Sequence, residues 1–100
     1  MAEMTVNGKP NVRVKVPTML RARVGGEAVL EGRGDTLREL LVDLERRYPG
    51  FSDGIVTEHG SLHRFVNLYL NSEDVRYLGS LETKVEEGDT VSILPAVAGG

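Results

Sequence analysis

Valines recur at every second position over Val12, Val14 and Val16, with Arg13 and Lys15 between them. A period of two puts alternate side chains on opposite faces, so this stretch predicts a half-buried strand with one apolar and one basic face. Pro17 closes it. Gly25-Gly26 marks a turn and Glu27 to Gly32 a weaker second strand, so Val12 to Gly32 reads as a hairpin. The period then changes. Leu37, Leu40, Leu41, Leu44 and Tyr48 fall on one stripe of a helix. Thr36 followed three residues later by Glu39 fits a capping box, with Asp35 as the alternative cap. Pro49-Gly50 stops the helix. Phe51 to Val56 reads as a further turn of helix, and Thr57 to Ser61 as loop.

The two-residue period returns at Arg64 to Asn71. Val66, Leu68 and Leu70 share one face, and Phe65, Asn67, Tyr69 and Asn71 the other. Asn71 to Asp74 reads as a turn, Val75 to Tyr77 as a short return strand, and Leu81 with Val85 as a helical turn packed on the core. Glu87-Gly88-Asp89 leads into a last strand, Thr90 to Leu94, which Pro95 closes because proline cannot donate to a ladder. A single amphipathic helix needs one apolar sheet face to cover it. The helix separates the first hairpin from the later strands, so it reads as a right-handed crossover that sets the first strand beside the last, in parallel. That arrangement is the β-grasp, or ubiquitin-like, fold: an α+β domain with a mixed sheet and one main helix on one face. The expected division is a loose leader at 1–11, the domain at 12–94, and a flexible diglycine tail at 95–100.

Composition narrows the chemistry. One hundred residues make one domain, too small to enclose a large substrate cavity. The net charge of −3 argues against a nucleic-acid partner, which favours a basic face. The absence of cysteine excludes a disulfide framework, a thiolate nucleophile and a thiolate metal site. No apolar run has the length of a membrane span, and Met1 to Pro10 lacks the features of a signal peptide, so the expected location is cytoplasmic. His59 and His63 are four apart, but Gly60 and Ser61 intervene and no third ligand is evident, so no metal site is expected. The carboxylates around Asp35 and Glu39 are explained by helix capping. Glu73 and Asp74 read as acids of a solvated turn.

Two features remain. If the apolar alternates of the strands face the helix, then Phe65, Tyr69 and Leu94 sit on the open sheet face with Arg13 and Lys15. Exposed apolar groups rimmed by charge predict a partner-binding surface. The second feature is the end, Ala98-Gly99-Gly100. Glycine has no Cβ, so such a tail threads into a narrow cleft and presents its carboxylate to another enzyme.

On these residues the chain resembles the ThiS and MoaD type of sulfur carriers, and among them the CysO-type carriers of a cysteine-biosynthesis route. The resemblance rests on Val14 to Leu20 (VKVPTML), Gly34 to Leu37 (GDTL), Leu62 to Asn71 (LHRFVNLYLN), Glu73 to Arg76 (EDVR) and Ile93 to Gly100 (ILPAVAGG). It implies a chain that is not an enzyme and binds no cofactor. Gly100 would be the site of adenylation and thiocarboxylate formation, with Gly99, Ala98 and Val97 forming the tail. It implies three kinds of partner. One is an adenylating enzyme related to ubiquitin-activating (E1-like) enzymes, of the MoeB, ThiF or MoeZ type, with or without a rhodanese domain, which uses ATP and a sulfur donor. Another is a sulfur-accepting synthase, either a cysteine synthase or a thiosugar-type synthase. The last is a metal-dependent hydrolase that releases the product. The rival readings are the small subunit of a molybdopterin synthase and a ubiquitin-like protein modifier.

Overall fold

The computed structural model describes residues 9–95. Five strands form one mixed sheet: β1 (Asn11–Lys15), β2 (Val29–Arg33), β3 (Val66–Leu70), β4 (Glu73–Asp74) and β5 (Thr90–Pro95), in the order β2-β1-β5-β3-β4. β5 is central. It runs parallel to β1, with Val14 beside Val91, and antiparallel to β3, with Leu68 beside Ile93. The expected β-grasp is therefore what forms, with the last strand interior and parallel to the first. One main helix, α1 (Leu37–Arg47), lies on one face.

The period-two alternates bury as their spacing dictates. Val12, Val14, Leu68, Val91 and Ile93 are all 2% exposed or less, and they meet Leu37, Leu40, Leu41 and Leu44 of α1 in one core. Gly34 lets the chain enter α1 at close quarters. A Cβ there would lie 2.6 Å from the backbone nitrogen of Leu40. Thr36 caps the helix, its hydroxyl accepting from the Glu39 N–H at 3.2 Å, but the Glu39 carboxylate reaches one residue past the cap and accepts from the Asp35 N–H at 2.9 Å instead of closing the box on Thr36. Lys9 donates to both Asp35 (2.7 Å) and Glu39 (3.0 Å). The Asp35 N–H and then the Lys9 ammonium hold the Glu39 carboxyl below the usual carboxylate range. At the other end Glu45 accepts from the N–H groups of Gly50 and Ser52 and from the Ser52 hydroxyl, at 2.7–2.9 Å. These bonds, Gly50 first, lower its pKa and tie the helix end to the following turn.

The connections follow the expectation in part. β1 and β2 do pair antiparallel, but the link between them carries 3-10 turns over Thr18–Val24 that bury Leu20 and Val24. The expected further turn after the helix is present, as a short 3-10 turn at Ser52–Gly54. Val75–Tyr77 is a 3-10 turn and not a return strand; the return strand is Glu73–Asp74. Asn71 and Ser72 take φ of 59° and 132°, which reverses the chain two residues early, and the Asp74 carboxylate then caps the turn by accepting from the Arg76 N–H at 2.9 Å. Leu81 lies in a 3-10 turn at Ser80–Glu82, while Val85 is outside it and donates its N–H to the Asp35 carbonyl at 3.0 Å.

Candidate functional site

The alternation that buries one face exposes the other. Arg13 and Lys15 of β1 are exposed, Leu94 of β5 is 48% exposed, and Tyr69 of β3 is half-buried. Phe65, just ahead of β3, is 49% exposed. The ladder fixes how these residues are spaced. Lys15 pairs with Ser92, which pairs with Tyr69, so the two sequence-predicted residues lie two strands apart in one row. Leu94 pairs with Asn67 in a row nearer the end of β5. Arg13 pairs with Thr90, four residues back from Leu94, or about 13 Å at the usual rise per residue. The open face therefore has an apolar end at Leu94 and Phe65 and a basic end at Arg13. The apolar end is where β5 leads toward the tail. Val97, Ala98, Gly99 and Gly100 themselves lie outside the described residues.

The structure adds residues at the apolar end that the sequence reading passed over. The Arg64 guanidinium carbon sits 5.4 Å from the centre of the Phe65 ring. Arg76 donates to the Asn67 side chain at 2.7 Å and to the His63 carbonyl at 3.0 Å, which fixes a second cation beside the Asn67–Leu94 row. Arg76 lies nine residues beyond Asn67 and is brought back beside it by the tight turn at Asn71–Ser72. His63 accepts the Phe65 N–H on Nδ1 at 3.2 Å, and its ring stands 5.6 Å from that of Phe65. Its role is to hold the Phe65 backbone. His59 is an exposed loop residue whose ring nitrogen lies 3.9 Å from Glu58. Among the described residues no three metal-ligating side chains gather, and no helix is long and apolar enough to cross a membrane.

The ThiS family model matches residues 14–100, from the first strand through the terminal diglycine. The chain belongs to the ThiS family. It is 50% identical over 92 residues to the sulfur carrier protein CysO of Mycobacterium tuberculosis strain H37Rv, covering 90% of this chain and 99% of that one. The crystal structure of M. tuberculosis CysO superposes with a TM-score of 0.82 at 48% identity, over 86% of this chain and 99% of that one. The crystal structure of the Amycolatopsis orientalis BexX/CysO complex gives a TM-score of 0.84 at 50% identity, over 89% and 99%. The chain is thus a homologue of CysO sulfur carriers on a ubiquitin-like β-grasp.

Proposed function

We propose that this chain is itself a sulfur carrier and not a catalyst, with the Gly100 carboxyl as the reacting group. The observation that carries this reading is the extent of the ThiS match, which continues past the domain into Ala98-Gly99-Gly100. The chemistry follows from the group. A carboxylate is a poor electrophile. Its oxygen attacks the α-phosphate of ATP on an adenylating enzyme, and pyrophosphate leaves. A sulfur nucleophile then attacks the acyl carbon, AMP departs, and one oxygen has been replaced by sulfur. The thiocarboxylate sulfur next attacks an activated carbon on a synthase that makes cysteine or another sulfur-containing metabolite, the activating group departs, and the carrier is left acylating the product. A hydrolase adds water across the Gly100 acyl bond, which frees the product and restores the carboxylate. The carrier needs no catalytic side chain, and two glycines leave both sides of the reacting carbonyl open.

In this reading the open face docks the adenylating enzyme, with Phe65, Tyr69 and Leu94 as the apolar anchors and Arg13 and Lys15 as the rim. A CysO relative crystallised with BexX supports a carrier of this type being held by a second protein. The test is mass spectrometry. With ATP, the cognate adenylating enzyme and a sulfide source, the intact chain gains the mass of one oxygen-to-sulfur exchange, located by fragmentation on Gly100. Deleting Gly99 and Gly100 abolishes the gain while the domain stays folded. A truncated chain that still acquires sulfur would sink the reading. A tight hetero-oligomer through a large apolar face would favour the molybdopterin-synthase subunit, and higher-mass lysine adducts would favour the protein modifier.

A further inference from the structure

Gly100 stands five residues beyond Pro95. Fully extended, that stretch reaches at most about 17 Å. An enzyme that works on the Gly100 carboxyl must therefore cover the surface around the end of β5. That surface includes a concavity of about 170 Å³ lined by Pro17, Met19, Leu20, Phe65, Val66 and Ile93. Val66 pairs directly with Pro95, and Ile93 stands two residues before it, so the pocket opens at the root of the tail. Its floor is core: Leu20, Val66 and Ile93 are 8% exposed or less. Its rim is open to solvent, with Met19 68% exposed. The 3-10 turns after Pro17 bury Leu20 and Val24 and turn Met19 outward.

We propose that this pocket anchors the enzymes that handle the tail, by taking one large apolar side chain of the partner beneath Met19 and beside Phe65. The inference rests on the carrier reading above and adds, at the edge of the covered side where Leu20, Val66 and Ile93 lie, a contact distinct from the open face. Three observations favour this occupant. The lining is apolar apart from His63, so it rewards a side chain without charge. Its volume lies below the roughly 300–1,000 Å³ of small-molecule sites, and suits a single side chain better than a metabolite. Methionine at the rim is unbranched and polarisable, and adapts to differently shaped apolar partners. That property fits a carrier that must dock on an adenylating enzyme, a synthase and a hydrolase in turn.

The test is steady-state ATP–pyrophosphate exchange by the cognate adenylating enzyme, with this chain as the varied substrate. Met19→Glu raises the KM for the carrier about tenfold or more, the scale of losing an interface anchor, and leaves kcat within about twofold. Met19→Leu stays within about twofold of wild type in both. The wild-type chain carrying ¹³C-methyl methionine supplies a readout that needs no variant: the Met19 methyl signal shifts as the enzyme is added. An unchanged KM for a folded Met19→Glu, or a Met19 signal that does not move at saturating enzyme, overturns the pocket. Sulfur loading of wild-type Gly100, read by mass spectrometry once a sulfide source is added, would then leave the carrier reading standing, whereas no loading of wild type removes both. A concentration-dependent dimer that Met19→Glu abolishes, with KM unchanged, would assign the pocket to a second copy of this chain and overturn the proposal.

Discussion

The two faces of the sheet are built from the same strands and differ in almost everything else. On the covered face Val12, Val14, Val91 and Ile93 disappear under α1, and the polar groups at both helix ends are matched by Thr36, Glu39 and Glu45. On the open face the neighbouring residues Arg13, Lys15 and Leu94, with Phe65 beside β3, stay in contact with water. One face spends its side chains on holding the fold. The other leaves apolar groups exposed that stability alone does not require. The comparison teaches that in a β-grasp of this size stability and recognition are separated by a one-residue step along each strand, so substitutions on adjacent residues should have unlike consequences.

The largest effect belongs to the covered side. Phe51 is fully buried between the helix end and the core. Phe51→Ala should destabilise the domain by about 3–5 kcal/mol, from lost transfer energy and the cavity left behind. Chemical denaturation measures it. Sulfur loading per folded molecule should stay at the wild-type level, and a loss of loading in the folded fraction would break the separation of the two faces. The opposite outcome is expected one step over. Phe65→Asp or Leu94→Asp should weaken binding to the adenylating enzyme by about 2 kcal/mol or more, with stability changed by no more than about 0.5 kcal/mol. Titration calorimetry beside thermal unfolding reads both, and unchanged affinity in both variants would remove this face from the partner surface.

How far the sequence discloses these two faces depends on the range of the interactions involved. α1 and its cap are local. Leucine spacing, Thr36 and Glu39 lie within one short window, and the structure follows them. β1, β3 and β5 are legible because alternation marks both the strand and the face that each residue takes. The return strand is misread because Val75, Arg76 and Tyr77 have strand-like composition, while the decisive features are the positive φ at Asn71 and Ser72 and a side-chain cap from Asp74. Met19 reads as an ordinary hairpin residue. Its place at the rim of a pocket depends on Phe65, Val66 and Ile93, more than forty residues away in the chain. Arg76 is nearer to its partners in the chain, nine residues past Asn67, but its bonds to Asn67 and His63 depend on the reversal at Asn71–Ser72, which alternation does not mark.

A smaller effect tests how tightly the helix is seated. Gly34 needs no unusual φ; what it needs is space. A Cβ would come within 2.6 Å of the Leu40 nitrogen and 2.9 Å of the Glu39 carbonyl carbon, and both are backbone atoms that cannot swing aside. Gly34→Ala should therefore displace the start of α1 and cost about 1–3 kcal/mol, the range of overpacking. Gly32→Ala offers the contrast. Its Cβ meets the ends of the Leu40 and Leu44 side chains, at 2.7 and 3.1 Å, and these can move. It should cost less than Gly34→Ala in the same denaturation experiment. Equal costs would show that α1 shifts as a rigid unit in both variants.

The smallest effect is a pH dependence confined to the covered side. Glu45 accepts from Gly50 N–H, Ser52 N–H and the Ser52 hydroxyl, and these bonds hold its pKa below that of a free glutamate. A lowered folded-state pKa means that the unfolded chain takes up the proton first as pH falls. The stabilisation from the charged form is therefore fully present above the ordinary glutamate pKa and disappears as pH drops through the lower folded value. Glu45→Gln keeps a carbonyl acceptor and removes the charge. At neutral pH it should melt below wild type, and on acidification the gap should begin to close at the ordinary glutamate pKa and vanish below the lower folded value. Glu39 is depressed in the same direction by the Asp35 N–H and Lys9, so wild-type acid unfolding alone cannot isolate Glu45, whereas the difference between wild type and Glu45→Gln can. A gap that is constant down through that range would show that the helix end is held by geometry and not by charge. Open-face variants such as Leu94→Asp give no such gap from this source, because they leave the Glu45 contacts in place in folded protein.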